Sequence, residues 1–475
     1  MTFATRPLAA SAAVLAVVLT AAGCASVSAQ DGASRAPVSS GAPELNLAYD
    51  RFVLDNGLTV VVHEDRKAPV VAVSIWYHVG SKNEPEGKTG FAHLFEHLMF
   101  QGSLSVEGEY FEPLQAVGAS INGTTSFDRT NYFETVPAES LELALWLESD
   151  RMGYLEVSQE RLDAQRDIVL NERRQSYENR PYGPSDLALY DALFPKGHPY
   201  HGNVIGSVED LERATLTDVR EFHRDFYTPS NATLALAGAF DVALAKSWIE
   251  KYFATLPHRP APSRRKHQTP PLAAAKRLEV IEPVRLPRVA IAWIVPPAFA
   301  PAEAAVELSL EVLGSGKSSR LYQRLVQTGA AIDVSVWLDD AELASVAGIE
   351  VSLPEGGDPH AVEAAVREEV GKLAQQPPSA AELHRALKGL QVGLASSLQL
   401  LNTGNGSGGR AGLLQKLNHY LSRPGALPEV LQHLSRTTMQ DVKQATAEHL
   451  SASRSLSVIT LPSETLGNHS EQSQQ

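Results

Sequence analysis

Cysteine is almost missing from this chain. Cys24 is the only one in 475 residues, so no disulfide can form within it. The fold must rest on core burial, for which a chain of this length suffices. A basic stripe is also missing. The formal net charge is -14, with acidic and basic residues interspersed, which sets nucleic-acid binding aside. Beyond the N-terminal segment, no stretch is apolar enough to span a bilayer. The length suggests more than one domain.

What is present begins with an export signal. Arg6 precedes an apolar run from Leu8 to Ala22, too short to cross a membrane comfortably and followed by small residues. Cys24 follows directly, in TAAGCAS. That stretch resembles a bacterial lipoprotein signal, in which the cysteine becomes the lipid-bearing first residue. Ala21 stands where a leucine is usual. The other reading is ordinary cleavage after Ala29, which discards Cys24. The expectation is an exported protein of the bacterial periplasm, with 1–23 as signal peptide and 24–45 as a flexible tether. It would touch a membrane only through a lipid on Cys24.

Folded sequence begins near Tyr49. Asn56-Gly57 sits between two alternating apolar runs and predicts a hairpin. VVAVSIWYHVGS reads as a buried strand, and a helix is expected from Thr89 to Phe100. SINGTTSFDRTNYFETV reads as two β-rich pieces, followed by two helices. NATLALAGA, residues 231–239, is another strand, and a helix follows around Lys246 to Phe253. Prolines crowd 257–275 and mark a linker between domains 46–256 and 276–463. The second domain repeats the first. Superposing Gly102-Ser103 on Gly314-Ser315 sets Ala305, Leu308 and Ser309 opposite His93, Glu96 and His97. Residues 464–475 read as a disordered tail.

The chemistry centres on GFAHLFEHLMFQGS. Positions i and i+4 share a helix face, so His93 and His97 can aim two imidazoles at one point. Glu96 falls on the same side, placed to take a proton from a water that a metal has made acidic. Chance and a plain amphipathic helix are the bland explanations. Against them, Phe91, Leu94, Phe95, Leu98, Met99 and Phe100 make the helix strongly apolar, and polar groups buried there need partners. Two histidines leave one protein ligand missing, and Glu172 on a later helix is a candidate, 75 positions on from His97. A structural zinc site would fill four ligands, and no fourth is evident.

GFAHLFEHLMFQGS resembles the inverted zinc motif of the insulinase/pitrilysin metallopeptidases. FVLDNGLTVVV, SINGTTSFDRTNYF, HPYHGNVIGSVEDL, DFYTPSNATLALAGAFD and LGSGKSSRLYQRLV resemble further segments of that family, over residues 45–463. The resemblance implies an α+β fold of two homologous domains, each a mostly antiparallel sheet packed by helices, the second lacking the site. It implies one zinc ion per chain on His93, His97 and Glu172, with Glu96 as general base of a peptidase. The peptide substrate would lie along an edge strand that holds Asn122.

Two positions depart from the family pattern. Gln165 stands where a second acidic residue is common, seven before Glu172, and would be a neutral neighbour of the ligand set. Active members also use an Arg and a Tyr, seven apart, from a homologous domain. Here seven on from Arg324 is Ala331, and the other register gives Val326 and Ile332. The half-length chains of the family pair into a chamber. The expectation is therefore a homologous partner subunit without the zinc motif that supplies Arg and Tyr. The alternatives are a homodimer with other donors, and a non-catalytic assembly subunit of the same family.

Overall fold

Short apolar strands joined by loops and helices build two sheets. The computed structural model describes residues 45–463 except 107, 265 and 266. The signal segment, Cys24 and the tail 464–475 lie outside the described residues. The first sheet holds β1 (Asp50–Val53), β2 (Thr59–Glu64), β3 (Val70–Tyr77), β4 (Ser120–Thr125), β5 (Thr130–Pro137) and β6 (Ala232–Gly238), in the order β1-β2-β6-β3-β5-β4. The second holds β7 (Lys276–Glu282), β8 (Arg288–Val295), β9 (Asp333–Asp339), β10 (Ser345–Ser352) and β11 (Leu456–Pro462), in the order β7-β11-β8-β10-β9. Without β1, the two orders are the same. In each, one pair is parallel (β2 with β6, β7 with β11) and the others are antiparallel. The internal repeat read from sequence is thus a repeat of topology. The proline-rich stretch between the sheets carries no strand or helix among its described residues.

β3 and β8 are largely apolar and buried along almost their whole length because both of their faces are covered. On one face of the first sheet, Val71, Val73, Ile75 and Tyr77 pack on Leu94, Phe95 and Leu98 of the helix Phe91–Leu98. On the other face, Ala72 and Ala237 meet Ala411, from the helix Gly409–Leu421 of the second half. Gln415 of that helix donates to Ser74 O and Thr233 O, both at 2.8 Å. The exchange is reciprocal. Ala290, Ala292 and Ile294 of the second sheet pack on Leu189 and Leu193 of the helix Gly183–Leu193, which belongs to the first half. Each half therefore lends the other a helix, and the described residues from Leu45 to Ser463 form one unit.

The turn Asn56-Gly57 forms as expected. Gly57 sits at φ +92, and Asn56 donates to Phe253 O at 2.7 Å and Leu256 O at 3.1 Å. The expected helix 89–100 is shorter, Phe91–Leu98. Its start is fixed by Gly90 at φ +87, a left-handed conformation that glycine adopts without strain.

Candidate active site

The helix Phe91–Leu98 follows β3 in the chain; its apolar side is buried against the sheet, Glu96 is buried too, and His93 and His97 are partly exposed toward Glu172 of the helix Gln159–Arg173. Its first turn has no side-chain cap of its own. Glu84, from the preceding loop, accepts from Gly90 N at 3.0 Å and Ala92 N at 2.8 Å instead. Asp210 adds a second anchor, accepting from Thr89 N at 3.0 Å and Thr89 Oγ1 at 2.7 Å.

His93 and His97, one turn apart, have ring centroids 4.8 Å apart. Their Nε2 atoms lie 3.7 Å and 3.3 Å from Glu172 Oε2. One ligand atom from each of His93, His97 and Glu172 falls within 4.8 Å of the others, the one such three-residue group of metal-ligating side chains among the described residues. Glu172 ends the helix Gln159–Arg173, just before a π-turn at Arg174–Glu178. Burial pushes His93 down to about 4, so it is neutral at pH 7, the form that ligates a cation. Burial also lowers His97, but Glu172 and Glu96 more than offset it, and it is raised; Glu172 is lowered in turn by the same contact, which overcomes its own burial. Two imidazole nitrogens and a carboxylate oxygen are a donor set that suits zinc, and three protein ligands leave a position open.

Glu96 is 8% exposed and stands outside that ligand group. Its Oε2 accepts from Thr125 Oγ1 of β4 at 2.5 Å. Burial pushes it up to about 7, against the Thr125 hydrogen bond, which holds it down. β4 comes this close because of Gly123. A Cβ there would meet the Phe100 ring at 3.0 Å and Glu96 Oε1 at 3.2 Å. Glu84, Gly123 and Thr125 were not singled out from the sequence, since loop and strand bring them to the helix by topology alone.

The remaining expected site residues fall as follows. Gln165 is buried on the Glu172 helix and contacts His97. Asn122 lies on the edge strand β4, but its side chain turns away from Glu96 and donates to Gly404 O at 3.3 Å. A substrate contact there would fall to the strand's backbone rather than to this amide. Arg324 is not brought to the group. Both of its terminal nitrogens pair with Glu368 and Glu369 of the helix Pro359–Gln375. Ala305 and Leu308 are buried apolar, and Ser309 donates to Ala305 O at 2.7 Å, so the repeat's helix Glu303–Gly314 holds no ligand at these positions.

Two family models match the chain: Insulinase (Peptidase family M16) over residues 59–193 and Peptidase M16 inactive domain over residues 213–390. The zinc protease PqqE of Helicobacter pylori is 32% identical over 287 residues, covering 58% of this chain and 64% of that protein. The chain thus spans just under two thirds of the length of that relative. An uncharacterized zinc protease of Mycobacterium tuberculosis is 28% identical over 418 residues, covering 87% of this chain and 93% of its own. The crystal structure of a protease from Helicobacter pylori superposes with a TM-score of 0.81 at 26% identity, covering 88% of this chain and 100% of that one.

Proposed function

Because this chain belongs to the insulinase family, peptidase M16, we propose that it is a zinc-dependent endopeptidase acting on peptides or short unfolded polypeptides. One observation carries the reading: three ligand atoms converge while Glu96 stays beside them without joining them. His93, His97 and Glu172 would hold one zinc ion. When bound, zinc supplies Lewis acidity that polarises the peptide carbonyl and acidifies a water.

Glu96 takes the proton of the attacking water on its carboxylate and returns it to the leaving amine nitrogen, so no proton is lost over the cycle. The open edge of β4 offers backbone donors and acceptors to an extended peptide. The insulinase match over residues 59–193 contains residues 93 to 172 and supports the enzyme; the inactive-domain match over 213–390 lies outside them, and a non-catalytic subunit of the family is the alternative.

The reading extends to assembly and location. Neither Ala331 nor Ile332 has a side-chain donor for a developing oxyanion, so a homologous partner without the zinc motif would supply Arg and Tyr. The apolar run ending before Cys24 supports export to the periplasm with a lipid anchor. No described helix is long and apolar enough to cross a membrane. The test is removal of metal by a chelator and stepwise return of zinc. Peptide cleavage should vanish and then recover at one equivalent per chain. Cleavage that survives full chelation would overturn the reading.

A further inference from the structure

A loop of the second half, residues 403–409, lies under the edge strand β4. Strand alternation puts Ile121, Gly123 and Thr125 on the Glu96 side and Asn122 and Thr124 on the other. On that other side, Asn122 Nδ2 donates to Gly404 O at 3.3 Å, while Thr124 Oγ1 accepts from Arg129 Nη1 at 2.8 Å and donates to Asn131 Oδ1. Arg129, in the turn after β4, joins the two halves. Its Nη1 donates to Thr124 O at 3.2 Å and Asn131 Oδ1 at 2.7 Å, and its Nη2 donates to Ser407 Oγ at 2.9 Å. The guanidinium is buried and lies 4.7 Å over the Trp76 ring. Gly406 lets the loop seat. It sits at φ +65, and a Cβ would come within 2.3 Å of Asn131 Nδ2 and 2.4 Å of Phe133. Within the loop, Asn405 Oδ1 accepts from Thr403 Oγ1 at 2.8 Å and Ser407 N at 3.1 Å, which fixes its shape.

An edge strand has a ladder on one side only, so its height and register are weakly held. Here the second half supplies the missing support. We propose that loop 403–409 is a positioning clamp for the peptide-binding strand. Ser407 acts through Arg129, and the Gly404 carbonyl acts through Asn122, to hold β4 in register over Glu96 before a peptide arrives. The ligand-free half of the chain is then a working part of the site. The proposal rests on the reading of β4 as the peptide strand.

The test compares Ser407→Ala, Ser407→Thr and Gly406→Ala with the parent, in the zinc-loaded full chain. Steady-state cleavage of an extended peptide is one readout. Hydrogen exchange of the β4 amides without peptide is the other. Ser407→Ala and Gly406→Ala should raise KM about 3–10-fold, with kcat held within about 2-fold and zinc content unchanged. The β4 amides should exchange about 10-fold faster while those of Gly409–Leu421 do not change. Ser407→Thr keeps the hydroxyl and should behave as the parent. Unchanged KM with unchanged β4 exchange overturns the clamp, as does a lower melting temperature with KM unmoved. A parent whose β4 amides gain no protection from added peptide defeats the reading of β4, and the exchange readout without peptide then decides the clamp by itself.

Discussion

The role proposed for Glu96 requires that nothing stand between it and β4, which makes Gly123 the constrained residue beside it. The space over its Cα is already filled by Phe100 and Glu96. Gly123→Val should push the carboxylate away from its position. A shift of this kind costs on the order of 10²-fold in rate. We expect kcat to fall at least about 10-fold with zinc stoichiometry intact, read by metal analysis alongside peptide kinetics. Full activity would show that β4 stands farther from Glu96 than described. A second residue-level effect concerns pH. Burial, with Asp340 beside them, pushes Glu307 up to about 7 and Glu303 to about 8, while Lys416 pulls both down. Their folded pKa lies above the usual 4.5, so the stability they contribute is complete below about 4.5 and is lost as pH rises through about 7–8. Glu307→Gln mimics the neutral acid. It should melt above the parent at pH 9 and close to it at pH 5, and the same offset at both would refute the shift.

The zinc-motif helix is held by its neighbours rather than by its own sequence. Glu84 and Asp210 satisfy its first turn from two different loops. Glu84→Ala leaves buried amides without acceptors, at about 1–3 kcal/mol. The expected result is a lower unfolding midpoint and weaker zinc retention in a chelator competition; unchanged values for both would contradict the capping role. The sequence announced this element through spacing: His93 and His97 at i and i+4, Glu96 between them, an apolar remainder. The position of Glu172 followed from the family's spacing, and the repeat from the two Gly-Ser pairs. Thr125 and Glu84 were not legible, because hydrogen bonds across 29 and 8 residues leave no periodic trace. The pairing of Arg324 with Glu368 and Glu369 was not legible for a related reason: a motif match says nothing of ion-pair partners from another helix.

At the scale of the whole molecule, the two halves share a strand order but not a boundary. The helix Gly409–Leu421 covers the first sheet, and Gly183–Leu193 covers the second. Local periodicity marks a helix without saying which sheet it covers, so the exchange was invisible before the fold. A fragment of residues 46–256 should therefore fail to fold alone, leaving the β2, β3 and β6 face bare. Circular dichroism and gel filtration of that fragment check this, and a cooperative, monomeric fragment would contradict it.

The central claim is that Glu96 is the proton-transferring base of a zinc site made by His93, His97 and Glu172. Glu96→Gln keeps the shape and removes the basicity. With zinc at parental stoichiometry, kcat on an extended peptide should fall about 10²–10⁴-fold. Parental kcat in a zinc-replete Glu96→Gln protein would contradict it.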